Sequence, residues 1–293
     1  TEQRYQHGDQ AGVIHGYGLD FAPDERWSYG ITAEIGSFNN NSDYQLKRRA
    51  YGAKISYSHD EIRYASRLEY RKDKSEVQDL TVWLMRNNLS YQLNPDWRLL
   101  ARLDFSIGDS SRGSFYDGDF VEASLGYAYR PVMHDRLNML VKYTFLQDLP
   151  PPDQVSTATG QQIDYAQRSH LFAIDGIYDL TRRWSVGGKY AYRHGQLRMS
   201  RDRSAKWFNS RGQLYAARVD WHVVKKWDLM VEARRRKESL ARDSKDGALA
   251  GVYRHFGNHF KMGVGYNFSD FSDDLTDLSY RSRGWFINAI GKY

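Results

Sequence analysis

The chain contains no cysteine, which excludes a disulfide framework and any thiolate metal site. It has only six prolines in 293 residues. No stretch approaches the roughly 18 consecutive apolar residues of a membrane-spanning helix. That absence leaves a second way across a bilayer, because barrel strands alternate lipid-facing and lumen-facing side chains and so escape hydropathy averages. Neither a phosphate-binding P-loop nor a His-Glu-x-x-His helix is present. The formal charge is +6, with a pI near 9.2 and a mean hydropathy of −0.74. The basic residues are spread along strands and loops, with no concentrated patch or basic helix, which argues against nucleic acid as a partner. The chain opens on Thr1 with neither a methionine nor a signal-peptide pattern, and is read as a mature or trimmed chain.

What is abundant is aromatic: 22 tyrosines, 13 phenylalanines and eight tryptophans. They are placed, not scattered. In the last ten residues Trp285, Ile287, Ala289, Gly291 and Tyr293 alternate with Phe286, Asn288, Ile290 and Lys292. A tilted strand crosses a bilayer in about 9–11 residues, and the same pattern recurs along almost the whole chain. About fifteen strands can be read by period two: 11–22, 27–38, 49–58, 62–72, 79–92, 97–108, 119–130, 136–147, 168–179, 184–195, 211–223, 227–236, 247–254, 259–269 and 284–293. Single-chain bacterial barrels have even strand numbers. A short strand over Glu2–Gln6 completes sixteen, with fourteen as the count if two weak segments are misread. The expected fold is an all-β, transmembrane, antiparallel up-and-down barrel over residues 1–293, a single domain. Closure pairs Gly284–Tyr293 with a strand within Glu2–Phe21.

Short turns alternate with long polar loops at 38–48, 109–118, 148–167, 195–210, 236–246 and 270–283. Large outward residues flank the short turns, giving a girdle of Trp27, Tyr57, Tyr91, Trp97, Tyr129, Tyr178, Trp184, Trp221, Trp227, Tyr253 and Phe260. A second girdle on the long-loop side includes Tyr70, Trp83, Phe172, Tyr215 and Trp285. The terminal Tyr293 belongs to the same aromatic set. Aromatic rings favour the headgroup level, where one edge is apolar and the other is wet. A soluble β-sandwich would have strands of about 5–6 residues and would hide its aromatics mid-strand.

The opposite parity carries charge. Lys54, Arg67, Glu69, Arg98, Arg102, Asp104, Glu122, Lys142, Asp175, Lys189, Arg218, Asp220, Glu232, Arg234 and Lys261 are expected to line the lumen, with acid and base alternating from strand to strand. Two readings fit. One is a structural ladder that pairs buried charge; the other is a charged ring in a water-filled pore. About sixteen strands leave room for an aqueous channel. Basic residues outnumber acidic ones, so an open lumen would prefer anions weakly. Strands and loops use all of these residues and leave none for a plug domain. The 148–167 loop is the best candidate for an inward constriction.

No catalytic constellation emerges. Nine histidines are scattered through the chain, with no serine, histidine and carboxylate converging in one loop. No cofactor and no metal centre are expected. Asp270, Asp273, Asp274 and Asp277 offer oxygens to a hard cation but lack EF-hand spacing, and read as a solvated acidic loop. Lys47, Arg48, Arg49, Arg201, Arg203, Lys206, Arg235, Arg236 and Lys237 lie at the outer rim, where the phosphates of lipopolysaccharide would meet arginine forks.

Over essentially its whole length the chain resembles bacterial outer-membrane β-barrel proteins. The Trp285-to-Tyr293 alternation looks like the C-terminal signal that the barrel-assembly machinery reads in that class, although phenylalanine is the commoner last residue. The stretches 168–180 and 263–277 are similar to the C-terminal barrel domains of large multidomain proteobacterial surface proteins. That resemblance implies an outer-membrane location, outer-membrane lipid and lipopolysaccharide around the wall, and extracytoplasmic domains before Thr1. The function it implies is a passive, porin-like pore, or the membrane domain of a larger surface or export protein. The alternatives are a closed-lumen anchor that displays or translocates attached domains and, more weakly, an outer-membrane enzyme.

Overall fold

The computed structural model describes residues 2–6, 12–39, 45–76, 78–111, 119–147, 166–198, 205–224, 226–239, 242–257, 260–269, 275 and 283–291. They form sixteen strands. These are β1 (Glu2–Gln6), β2 (Gly12–Phe21), β3 (Trp27–Asn39), β4 (Gln45–His59), β5 (Ile62–Lys74), β6 (Asp79–Gln92), β7 (Trp97–Ser110) and β8 (Phe120–Tyr129). The second half comprises β9 (Leu137–Gln147), β10 (Ala166–Asp179), β11 (Trp184–Arg198), β12 (Trp207–Val224), β13 (Trp227–Glu238), β14 (Asp243–Phe256), β15 (Phe260–Asn267) and β16 (Gly284–Gly291). Each strand pairs antiparallel with the next, so the order is β1 to β16 without a crossover.

Local chemistry sets the short turns. Asp24 Oδ1 accepts the backbone N–H groups of Arg26 and Trp27, both at 2.8 Å. Asn94 Oδ1 does the same for Asp96 and Trp97 at 3.0 Å, and Thr181 Oγ1 for Arg183 and Trp184 at 3.1 Å. A short acceptor side chain thus closes the turn on its own backbone and delivers a tryptophan as the first residue of the next strand. That tryptophan then meets an aromatic partner across the ladder. Trp27 lies 4.6 Å from Tyr57, Trp97 4.6 Å from Tyr129 and Trp184 5.2 Å from Trp221, between ring centroids.

The long-loop end is more strongly built than the sequence suggests. Strand β12 runs for 18 residues. The β13–β14 ladder holds through Glu238↔Asp243, which reduces the expected 236–246 loop to residues 239–242. The reason is paired polar side chains along the extended hairpins: on the outer wall Arg235 grips Asp246 with two bonds of 2.6 and 2.8 Å.

The two faces differ as period two requires. Leu103, Ile107, Ile174, Val231 and Val264 are exposed on one face; Glu69, Asp104, Arg193, Asp220 and Asp228 are buried on the other. Within a soluble protein this would be inside out. One polar side chain on the apolar face, Asn87, is satisfied locally: it accepts from Tyr64 Oη at 3.1 Å and donates to the Leu103 carbonyl at 3.2 Å.

Among the described residues no ladder joins β16 to β1. The exposure of Trp285 (78%) and Ile287 (79%) reflects that bare edge, against 48% for Val264 on the neighbouring strand. In hydrocarbon each unsatisfied backbone group costs several kcal/mol, so closure in the membrane is expected. Cysteine pairs scanning Trp285–Ala289 against Glu2–Phe21 should crosslink in the membrane-assembled protein. Failure of every pair in folded protein would place the closing partner elsewhere. Leu103→Arg is expected to destabilise the folded protein by about 2–4 kcal/mol in lipid, read by denaturant titration in vesicles.

Candidate functional site: the charged inner face

Every charged residue expected to line the lumen lies on the inner parity of its strand, and the aromatic residues expected outside lie on the outer parity, with two exceptions. Tyr253 is a correction. Its ring is inside, 5% exposed, packed over Gly263 and beside Gly251. Tyr253 lies near a turn in the sequence, but β14 continues to Phe256. Phe256 lies three residues on and so has the opposite parity; it faces outward, pairs with Phe260 across the ladder and lies 6.1 Å from its ring. A Cβ at residue 263 would occupy the Tyr253 ring position, so glycine makes the inward tyrosine possible. Tyr293, the other exception, lies outside the described residues.

The charges organise differently from a simple acid–base alternation. Reading one row across β4 to β8, Lys54 faces Arg67, Arg67 faces Arg86, Arg86 faces Asp104 and Asp104 faces Glu122. Three cations are adjacent, then two carboxylates. Neutralisation runs largely along the strands, between residues two apart on one face. Arg67 Nη2 lies 3.0 Å and Arg71 Nη2 2.5 Å from the Glu69 carboxylate. Arg102 holds Asp104 with bonds of 3.0 and 2.5 Å and lies 3.8 Å from Glu122. Arg218 grips Asp220 with two bonds of 2.7 Å, and Arg234 bonds Glu232. Lys54 reaches Asp20 at 2.7 Å. An arginine fork can bend back along its own strand to a carboxylate two residues on, which a cross-strand register argument does not foresee. Direct cross-strand opposition occurs at Asp175↔Lys189 and Arg218↔Glu232.

These bonds decide which carboxylates can be buried. Glu69 is 7% and Asp104 3% exposed; without their arginines each would be a buried unpaired charge, a loss of several kcal/mol. The cations are in excess. Among the described residues Arg63, Arg86, Lys142 and Lys189 form no ion pair, and neither does Asp175, which faces Lys189 across the ladder. The inner face carries an open cleft of about 610 Å³ lined by apolar residues such as Ala65, Leu100 and Leu140 together with Arg63, Arg102 and Lys142. A second cavity, of about 360 Å³, is lined by Asp175, Lys189, Arg218, Glu232, Arg234 and Tyr253, among others. Arg98 sits nearer the short turns and bonds Gln92 Oε1 at 2.8 Å.

Two arrangements were not foreseen. At the long-loop end, Leu146, Leu171, Ala191 and Leu214 form an apolar patch on the inner face, and Leu275 is packed against it, 1% exposed. Arg193, also 1% exposed, donates to Ser210 Oγ at 2.9 Å and Glu238 Oε2 at 3.1 Å, and reaches the Leu275 carbonyl at 3.5 Å. A residue from the segment between β15 and β16 therefore occupies the inside of the wall. The 148–167 loop expected in that role lies almost wholly outside the described residues, as do Asp270, Asp273, Asp274 and Asp277, and Arg201 and Arg203 of the rim. Of the other rim residues, Arg48 turns inward to Asp73 with bonds of 2.8 and 2.6 Å, and Arg236 turns inward to Glu238 at 3.7 Å. At the short-turn end, His222, Asp228 and His255 converge. Period two puts each on the inner face, but their proximity depends on the register of three strands.

No protein-family model and no curated protein matches the chain. Solved structures do. The ferric-catecholate import receptor Fiu of E. coli K12, in its closed form, superposes with a TM-score of 0.55 at 9% identity, over 96% of this chain and 57% of that one. The siderophore receptor PiuA of Acinetobacter baumannii gives 0.50 at 10% identity, over 96% and 57%. The copper transporter OprC gives 0.50 at 9%, over 89% and 53%. The chain thus spans little more than half the length of these structures.

The Arg193 cluster yields a direct expectation. Arg193→Met removes the bonds to Glu238, Ser210 and the Leu275 carbonyl while keeping a side chain of similar length. Loss of a buried charge partner costs about 3–5 kcal/mol, so a lowered unfolding midpoint is expected, together with faster proteolysis around residue 275. An unchanged midpoint and cleavage pattern would show that the cluster does not hold this segment. On fold, the chain is an outer-membrane-type β-barrel, like the transport proteins it superposes on.

Proposed function

We propose that the protein is an outer-membrane barrel forming a passive pore with weak preference for anions. The observation that carries this reading is the inner face itself: its cavities include Arg63, Lys142 and Lys189, which form no ion pair among the described residues, beside apolar residues and the carboxylates Asp175 and Glu232. A purely structural charge ladder needs balance, and here the unpaired groups are mainly cations. Rings of basic side chains bias a pore toward anions. The likeness to transport barrels supports the architecture at a coarse level. In this reading the short turns face the periplasm and the long hairpins face outward. Outward basic residues such as Arg49 and Lys237 meet lipopolysaccharide phosphates, and the C-terminal strand is the segment offered to the barrel-assembly machinery. Domains preceding Thr1 would make the barrel the membrane unit of a larger protein.

A second reading, the closed-lumen anchor, is favoured by one observation. The apolar cluster around Leu275 fills space inside the long-loop end of the wall, which narrows the passage there.

Single-channel recording from the purified protein in a planar bilayer separates the two. Discrete conductance steps with a reversal potential shifted toward anion selectivity in a salt gradient are the expected result. Arg86→Glu should reduce that selectivity. A silent bilayer containing folded protein would favour the anchor, and clear cation selectivity would overturn the assignment of lumen charge.

A further inference from the structure

Asp228 is a buried carboxylate, 2% exposed at its side chain, at the start of β13. On the same face, the end of β12 brings His222 directly across the ladder. The end of β14 brings His255, two residues beyond Tyr253, which is Asp228's partner on the other side. His222 Nδ1 bonds one carboxylate oxygen, and His255 Nε2 lies 2.8 Å from the other. The three donor atoms all lie within 4.8 Å of one another. Both imidazoles remain accessible, at 45% and 33% side-chain exposure, so an ion can reach them from the lumen mouth.

We propose that His222, Asp228 and His255 form a binding site for a borderline divalent transition-metal ion, of the chemistry of Zn²⁺ or Cu²⁺, at the short-turn mouth of the lumen. Two imidazoles and one carboxylate suit such ions and not Ca²⁺ or Mg²⁺, which take oxygen ligands. Three protein ligands leave a further position for water, the pattern of an open site. The edge of a zinc tetrahedron with bonds of about 2.0–2.1 Å is shorter than the widest donor separation, so the two histidines close inward on binding. The ladder registers irregularly between His222 and Val224, and the exposed rings have room to turn.

Lys261 is the competitor built into the site. Its ammonium bonds the Asp228 carboxylate and supplies positive charge in the absence of a metal. An entering ion takes over that carboxylate oxygen and displaces the ammonium, which stays protonated. The Tyr253 ring, 4.8 Å from Lys261 Nζ, offers the displaced cation a second seat through its π face. The site is independent of whether the lumen conducts.

The test uses folded, untagged protein in detergent, titrated with Zn²⁺ by calorimetry and with Cu²⁺ by electron paramagnetic resonance. One ion per chain is expected, with two nitrogen ligands in the copper spectrum. His222→Ala and His255→Ala should each weaken binding at least about tenfold, since loss even of an outer-shell partner costs about 10–100-fold in affinity, and each should leave one nitrogen. The double variant should lose the stoichiometric ion. Lys261→Met should tighten binding. Absence of saturable binding in the parent protein would overturn the proposal, even if Lys261→Met binds, as would an ion retained by the double variant. Because neither histidine is buried, these variants test the site even if Asp228→Asn fails to fold.

Discussion

The interaction on which the structure depends is the backbone ladder. A chain that crosses hydrocarbon must satisfy every peptide N–H and C=O internally, and without a membrane helix only strands paired side by side can do so. Each of the sixteen strands is bonded to its sequence neighbours, so the order is sequential and the side chains are free to differ between faces. The turns that keep this order rest on single acceptor side chains, Asp24, Asn94 and Thr181, each folding back on the amide of a following tryptophan. The same residues that reverse the chain thus place the rings that suit the interface.

Once the ladder is set, the inner face must accommodate charge in a confined space. The solution is repeated: a carboxylate is buried and an arginine from the same strand, two residues away, lies over it. Glu69 with Arg67 and Arg71, Asp104 with Arg102, and Asp220 with Arg218 are instances. This arrangement leaves some cations unmatched near the larger cavity and gives the wall its electrostatic character. At the two ends the pattern gives way to local clusters. Arg193 and Leu275 close against the apolar patch at one end, and Asp228 collects two histidines and a lysine at the other.

Much of the architecture was legible in the sequence because strand parity is a one-dimensional property. A period of two separates Leu103 from Arg102 and Asp104 without knowledge of any neighbour. Parity and position near a turn conflict at Tyr253, where parity decides, and the polar strand residues of the outer hairpins look like loop. The charged set was legible as a set; its partners were not. Arg86 falls on the inner parity of β6 between Leu84 and Asn88 and could have been found by counting. The convergence of His222, Asp228 and His255 could not, since the residues are separated by 6 and 27 positions and meet only through register.

The sequence by itself determined the strand number and, among the described residues, the parity of most strand side chains, because these follow from alternation and from turn chemistry within a few residues. Only the tertiary structure decided which charges touch, that Leu275 turns inward and that a buried carboxylate gathers two imidazoles. Those contacts depend on the stagger of one strand against the next and on the curvature of the wall. Both are properties of the assembled sheet, to which each strand contributes without encoding the result.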